Sequence, residues 1–201
     1  MTQRPEQNLD IIKRALGADY LEHRILGLVL EEDFETGQST VRVDLSDPDG
    51  NNRYTVEGTG VGLVDALTHA LLSRFAPEYR SLETIEFTGF DVQAKFDTKN
   101  ERSGADAIGV VSLEVRNSEG QVFTFADSSR SIASSAARAV LAAVEYFVNS
   151  ERAYVSLYRA LRDAKERDRP DLVARYTREL AEVVKSTSYT EVIERIKSEL
   201  D

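Results

Sequence analysis

Cysteine is absent from the 201-residue sequence, and histidine occurs only at His23 and His69. The lack of cysteine excludes disulfides, thiolate metal sites and cysteine nucleophiles. Neither histidine has a second histidine at metal-ligand spacing, and no Gly-x-Ser-x-Gly motif accompanies them. We therefore expect no enzyme, no metal and no cofactor. The composition leaves open one class of enzyme, in which two carboxylates act as the catalytic pair.

A basic surface is also missing, because the net charge is -10 and the sequence pI about 4.8. Lysines and arginines have acidic neighbours, as in residues 165–169, which argues against nucleic acid and anionic membranes as partners. No apolar run approaches the ~18 residues that span a bilayer, and residues 1–10 contain no apolar signal core. We expect a cytoplasmic chain.

The first half of the chain predicts strands followed by a helix. Residues 24–31 favour a strand, and residues 39–45 alternate strictly between apolar and polar side chains. A turn with proline and glycine at 47–50 leads to a further strand over 53–57. Residues 63–75 then place apolar side chains at helical spacing.

The second half repeats this plan. A strand is predicted over residues 84–96, with a bulge at Gly89. Two more strands, 108–115 and 121–126, precede an alanine-rich helix over 132–148.

Residues 41–71 align without gaps to residues 111–141, which suggests two copies of one strands-then-helix unit. Such units pack together because neither buries its sheet face alone, although a hairpin followed by a helix is common enough to recur by accident. The predicted fold class is α+β: two antiparallel sheets with one helix each, then a helical tail. The predicted domains are an N-terminal helical lead-in (1–23), a regulatory domain (24–150, with repeats 24–76 and 82–150) and the tail (151–201).

The tail contains no strand signal. It predicts three amphipathic helices over residues 154–164, 170–185 and 189–200. The simpler interpretation is that they pack on the domain's own sheet. The alternative is an arm for dimerisation or for docking another protein.

Glycines at positions 58, 60 and 62 lie between a predicted strand and the helix that begins at Leu63. The start of a helix offers free N–H groups and the positive end of its dipole, which together bind carboxylates and phosphates. Leu63 replaces the third glycine of the dinucleotide fingerprint, and the lysine of a P-loop is missing. Two interpretations stay open: an anion site, or a tight turn that lets the helix lie flat on the sheet.

Three segments resemble a known family. Residues 60–66 (GVGLVDA) match five of the seven positions of a Gly-Asn-Gly-Pro-Val-Asp-Ala stretch, and residues 104–110 and 131–136 resemble two further segments in the same order. The family is the C-terminal regulatory (allosteric, dimerisation) domain of 2-isopropylmalate synthase and citramalate synthase. The resemblance covers residues 24–149, with Val61, Leu63 and Ser131 departing from the family pattern.

The resemblance implies a regulatory domain without its catalytic part, since residues 1–23 cannot encode a barrel of around 250 residues. It implies a homodimer that binds leucine or isoleucine and modulates a separate synthase subunit. Backbone amides near Gly60 and Gly62 would hold the effector carboxylate, and Asp65 or Asp106 would face its ammonium group. The implied apolar pocket is lined by Val64, Ala66, Ala107 and Ile108.

Two functions follow as hypotheses. The first is a non-catalytic domain that senses a branched-chain amino acid or a similar metabolite in the control of leucine or isoleucine biosynthesis. The alternative is a structural adaptor that uses the helical tail for protein–protein interaction and has no ligand pocket.

Overall fold

The computed structural model describes residues 2–3, 6–95, 108–187, 194 and 198. Its elements confirm the α+β class with two strands-then-helix units. In chain order they are β1 (Thr2–Gln3), α1 (Glu6–Leu16), β2 (Arg24–Asp33), β3 (Gln38–Ser46), β4 (Arg53–Gly60), α2 (Leu63–Phe75), β5 (Glu86–Lys95), β6 (Ile108–Arg116), β7 (Val122–Ser129), α3 (Ile132–Glu166) and α4 (Pro170–Thr187).

The strands form two sheets. Strands β2, β3 and β4 make an antiparallel sheet in that order, and β5, β6 and β7 repeat the arrangement, with the short β1 added parallel to β7. The predicted bulge at Gly89 is confirmed by a register shift between Phe87 and Gly89. The first sheet has a matching shift between Ile25 and Gly27, so the two units share even this irregularity.

The gapless alignment of the two units is wrong by one residue after the hairpin turn. The first turn spans positions 47–52 and the second only 117–121, because Ser46 pairs with Arg53 while Arg116 pairs with Val122. The second unit therefore reaches its helix one residue sooner.

Each helix covers only part of its own sheet. Helix α2 packs on β4 and β3, and α3 packs on β7 and β6. The buried side chains beneath them alternate along the middle strands, namely Val41, Val43 and Leu45 in β3 and Val111, Leu113 and Val115 in β6. The first strand of each unit receives less cover from its helix.

Strand β5 shows this lack of cover most clearly. Phe90 pairs with Leu113 and Val92 with Val111, so both side chains lie on the core side of the sheet. Phe90 is nevertheless 45% exposed and Val92 38%. An apolar strip on the inner face of the sheet is thus left open.

Helix α2 lies against the backbone of β4 at Gly58. A Cβ atom at this position would overlap Ala66 O and Ala70 N of the helix. Ala66 and Ala70 are fully buried, so small side chains on the helix meet a glycine on the strand. Gly58 therefore allows the helix to approach the strand closely.

Helix α3 runs without interruption from Ile132 to Glu166, so the predicted break between residues 148 and 154 is wrong. Ser131 caps the start of this helix, since its Oγ accepts a hydrogen bond from Ser134 N–H at 3.2 Å. The helix passes through position 150, where the regulatory domain was predicted to end. None of the described helices is long and apolar enough to cross a bilayer.

The simpler interpretation, that the tail packs on the domain's own sheet, is wrong for α4, the last described helix. Helix α4 packs against α3 and α1, with Leu180 and Val183 buried at the contact. These positions form the apolar face that the sequence predicted, but the partners of that face are helices. The third predicted helix, over 189–200, lies outside the described residues apart from two isolated positions.

Two side chains of α3 hold the segment that leads into β2. The Asn149 amide accepts a hydrogen bond from Leu21 N–H at 2.8 Å and donates one to Leu21 O at 2.7 Å. Glu145 Oε1 accepts from His23 N–H at 2.7 Å and lies 2.9 Å from His23 Nδ1. Burial raises the pKa of the Glu145 carboxyl, although its hydrogen bonds to His23 oppose the shift.

We expect Gly58→Ala to lower the free energy of unfolding by about 1–3 kcal/mol, because the added methyl group forces α2 away from β4. Thr59→Ala, at an exposed neighbouring position, should change it by less than about 0.5 kcal/mol. Urea denaturation of both variants measures the difference. Equal stability of the two variants would contradict the close packing.

We expect Glu145→Gln to gain stability relative to the wild type as pH rises from about 4.5, the ordinary pKa of a glutamate, to 8. A carboxyl whose folded pKa is raised stabilises the protein fully below its unfolded pKa of about 4.5, and this contribution is lost as pH rises through the folded pKa. The glutamine retains an oxygen that accepts from His23 N–H but does not titrate. Urea titrations at both pH values measure the difference, and a pH-independent difference would refute the role of burial.

Candidate functional site

The glycine loop joins the end of β4 to the start of α2 through positions 60–62. Gly62 has a φ of 90°, a conformation that side chains with a Cβ rarely adopt. Gly60 lies directly beneath the helix, where a Cβ atom would come within 2.6 Å of Ala66 N. Two glycines therefore serve the tight turn, as one of the two interpretations predicted.

The start of α2 is nonetheless open. The first hydrogen bond into the helix runs from Ala66 N–H to Gly62 O at 3.1 Å. The N–H groups of the first three helical residues, Leu63 to Asp65, consequently have no carbonyl partner within the helix. Gly62 supplies no side-chain cap. Backbone donors thus accumulate at the positive end of the helix dipole.

Asp65 lies at this helix start with its carboxylate turned back over the loop. Its Oδ2 accepts a hydrogen bond from Val61 N–H at 2.8 Å, which fixes the loop against the first turn. Its Oδ1 is 3.8 Å from His69 Nε2, and both side chains are substantially exposed. His69 Nδ1 donates to Thr59 O at 2.7 Å. An exposed pair of this kind contributes little to stability.

An open depression of about 490 Å³ borders the helix start. Its size is within the range of small-molecule sites. One side is formed by the loop and the first turns of α2, and the other by β5 and the first residue of α3. The lining residues are Val61, Gly62, Leu63, Val64, Asp65, Thr68, Phe87, Phe90 and Ile132. Backbone donors and one carboxylate therefore adjoin a mainly apolar surface.

The structure brings together only some of the residues predicted for the site. Gly62, Val64 and Asp65 line the depression. Gly60 lies behind it against the helix, and Ala66 is fully buried. Ile108 occupies an exposed position at the start of β6 and does not line the depression. Asp106 and Ala107 lie outside the described residues.

The residues on the opposite side of the depression, from β5 and α3, were not predicted from the sequence. Phe87 and Phe90 flank the bulge at Gly89, and Ile132 begins α3. These residues meet the glycine loop only because the two units pack against each other, with α2 in contact with α3. The one available signal was the pair of aromatic residues on either side of the predicted bulge.

The described residues provide no group of three histidine, aspartate or glutamate side chains placed to hold a metal ion. Within that part of the chain, Asp65 and His69 are the acidic and imidazole groups nearest the helix start, and they face each other as a single pair. The arrangement is suited to holding a small charged molecule.

Comparison with known protein families finds a match over more than half of the chain. The model of the LeuA allosteric (dimerisation) domain matches residues 26–148. This range runs from β2 to the middle of α3 and contains the glycine loop between β4 and α2. No curated protein matches the chain. Because the match covers more than half of the 201 residues, the chain belongs to the LeuA allosteric (dimerisation) domain family.

Proposed function

We propose that this chain is a non-catalytic regulatory domain that forms a homodimer and senses a branched-chain amino acid or a similar small metabolite. The family supports a regulatory, dimerising role in LeuA-type enzymes and a connection with leucine biosynthesis. The observation that carries the sensing role is the open start of α2 beside a mainly apolar depression. The partner under control would be a separate synthase subunit in the cytoplasm.

In this proposal the effector carboxylate accepts hydrogen bonds from the N–H groups of Leu63 and Val64. These donors are left without partners inside the helix, and the dipole favours a negative charge there. The branched side chain of the effector contacts Phe87, Phe90 and Ile132 across the depression. Apolar walls with a few placed polar groups are typical of small-molecule sites.

Asp65 favours an amino acid over other anions at this place. Its carboxylate lies on the rim of the depression and repels a phosphate or a simple carboxylic acid. An α-amino acid carries an ammonium group beside its carboxylate, which offsets that repulsion. Asp65 therefore has two roles: it fixes the loop by its hydrogen bond with Val61 N–H, and it favours a zwitterionic ligand.

Dimerisation is supported by the open inner face of β5. Phe90 and Val92 are partly exposed on the core side of the sheet, and Val61 and Ile132 extend the apolar surface beside Phe90. Contiguous exposed apolar surface of this kind is typical of an interface. A second copy placed there would close the depression, so that effector binding and dimer formation would be coupled.

The adaptor alternative relies on a free helical tail. Within the described part of that tail, α4 instead packs its apolar face on α3 and α1. The sensing role therefore has the stronger support.

We expect leucine or isoleucine to raise the melting temperature of the chain, by about 3–5 °C at ten times its Kd, because it binds the folded state only. The corresponding 2-oxo acids should raise it much less. Val64→Trp fills the depression and should abolish the rise. Thr40→Trp adds the same ring at an exposed position of β3 and should leave the rise unchanged.

Thermal-shift titration over amino acids and 2-oxo acids measures these effects. A chain whose melting temperature responds to no amino acid, or that responds equally after Val64→Trp, has no effector site at the glycine loop.

We expect Phe90→Glu to shift the chain from dimer towards monomer, because it places a charge in the apolar strip of β5. Ala126→Glu introduces the same charge at an exposed position of β7 and should leave the molecular mass in solution that of the wild-type dimer. Sedimentation equilibrium at micromolar concentration distinguishes the two states. A wild-type monomer, or a Phe90→Glu dimer of unchanged affinity, would refute the proposed interface.

A further inference from the structure

A second depression, of about 600 Å³, lies between β2 and α3. Its apolar walls include Ile25 and Leu28 from the strand and Ala137, Leu141 and Ala142 from the helix. Ile25 and Leu28 flank the bulge of β2 as Phe87 and Phe90 flank that of β5. The two depressions are thus counterparts, each formed by the helix of one unit and the first strand of the other.

The polar groups of the second depression differ from those of the first. Helix α3 is closed at its start, because Ser131 Oγ accepts from Ser134 N–H and Ser129 Oγ lies 2.8 Å from Ser135 Oγ. No open array of backbone donors comparable to that of α2 faces this depression among the described residues. A ligand held by its carboxylate is therefore not expected here.

Glu145 supplies a negative charge instead. Its side chain is only 13% exposed and lines the depression. Both of its contacts with His23 end on Oε1. In the described structure Oε2 receives no hydrogen bond from the protein. Oε2 is not one of the side-chain atoms buried without a partner, so it is accessible from the depression and can accept a hydrogen bond from a ligand.

The other charges near Glu145 do not satisfy this oxygen. Arg138, two turns earlier on α3, pairs with Asp127 at 2.7 Å. Glu22, which also lines the depression, raises the pKa of Glu145 by its own negative charge. Arg24 also lines the depression, so two carboxylates there are opposed by one guanidinium besides that of the paired Arg138. A small excess of negative charge therefore accompanies the branched apolar surface.

We propose that the depression between β2 and α3 is a second ligand site, which binds a protonated primary amine with a small branched apolar body. The ammonium group donates to Glu145 Oε2, and the apolar body contacts Ile25, Leu28 and Leu141. The ligand would link the first strand of one unit to the helix of the other. This site is separate from the glycine loop and does not depend on the function proposed for it.

The test uses 3-methylbutylamine as the probe, with the whole chain and thermal-shift titration as the readout. We expect a rise of about 3–5 °C at ten times the Kd. Methylamine, which lacks the apolar body, and 4-methylpentanoate, which lacks the ammonium group, should each give less than a third of that rise. Equal rises with all three compounds would overturn the proposal.

Three variants locate the site. Glu145→Gln preserves an acceptor for His23 N–H and should weaken binding of 3-methylbutylamine at least tenfold, as measured by isothermal titration calorimetry. Ala142→Phe fills the depression from an exposed position of α3 and should do the same. Ala181→Phe, at an exposed position of α4, should bind as the wild type does.

The Val64→Trp variant separates the two sites, since it should lose the response to leucine but not the response to the amine. If 3-methylbutylamine does not bind the wild type, or binds Glu145→Gln as tightly, the second site does not exist. Loss of the amine response in Val64→Trp would assign the amine to the glycine loop and would likewise overturn the proposal.

Discussion

The contact between α2 and the backbone of β4 is the constraint on which the rest of the structure depends. Gly58 and Gly60 have no side chains, so the helix can lie directly against the strand. The chain then turns through Gly62 in a conformation that few other residues adopt. Because the turn is so tight, the helix begins without a capping side chain. One packing requirement thus produces both the stable unit and the open helix start.

The second unit solves the same geometric problem differently. It has serine at the positions before α3, and Ser131 caps the helix that follows. The second helix start is closed, and the second depression has Glu145 and His23 in place of free backbone donors. Two units of one architecture therefore present two different chemical environments. A duplicated fold can in this way carry one site for an anion and another for a cation.

Local patterns predicted most of the secondary structure. Alternation in β3 and β6, the helical period of α2, the bulge at Gly89 and the family were all evident in the sequence. The continuous α3 was missed because polar residues at 149–152 resemble a break, although Asn149 is buried and bonded to Leu21. The partners of α4 were missed because an amphipathic face does not specify what covers it.

The candidate site was predictable only on one side. Gly62, Val64 and Asp65 are neighbours in sequence, so the loop and helix start were found together. Ala66 was assigned to the pocket but points into the core, since spacing alone does not say which helix positions meet the strand. Phe87, Phe90 and Ile132 depend on the packing of one unit on the other, which no local pattern encodes.

The central claim is that the first N–H groups of α2 bind the carboxylate of an amino-acid effector. Amide chemical shifts of the ¹⁵N-labelled chain, followed during titration with leucine, test this claim most directly. We expect the largest changes at the N–H groups of Leu63 and Val64, and we expect them to saturate with a single Kd. Unchanged shifts at these two amides in the presence of bound leucine would contradict it.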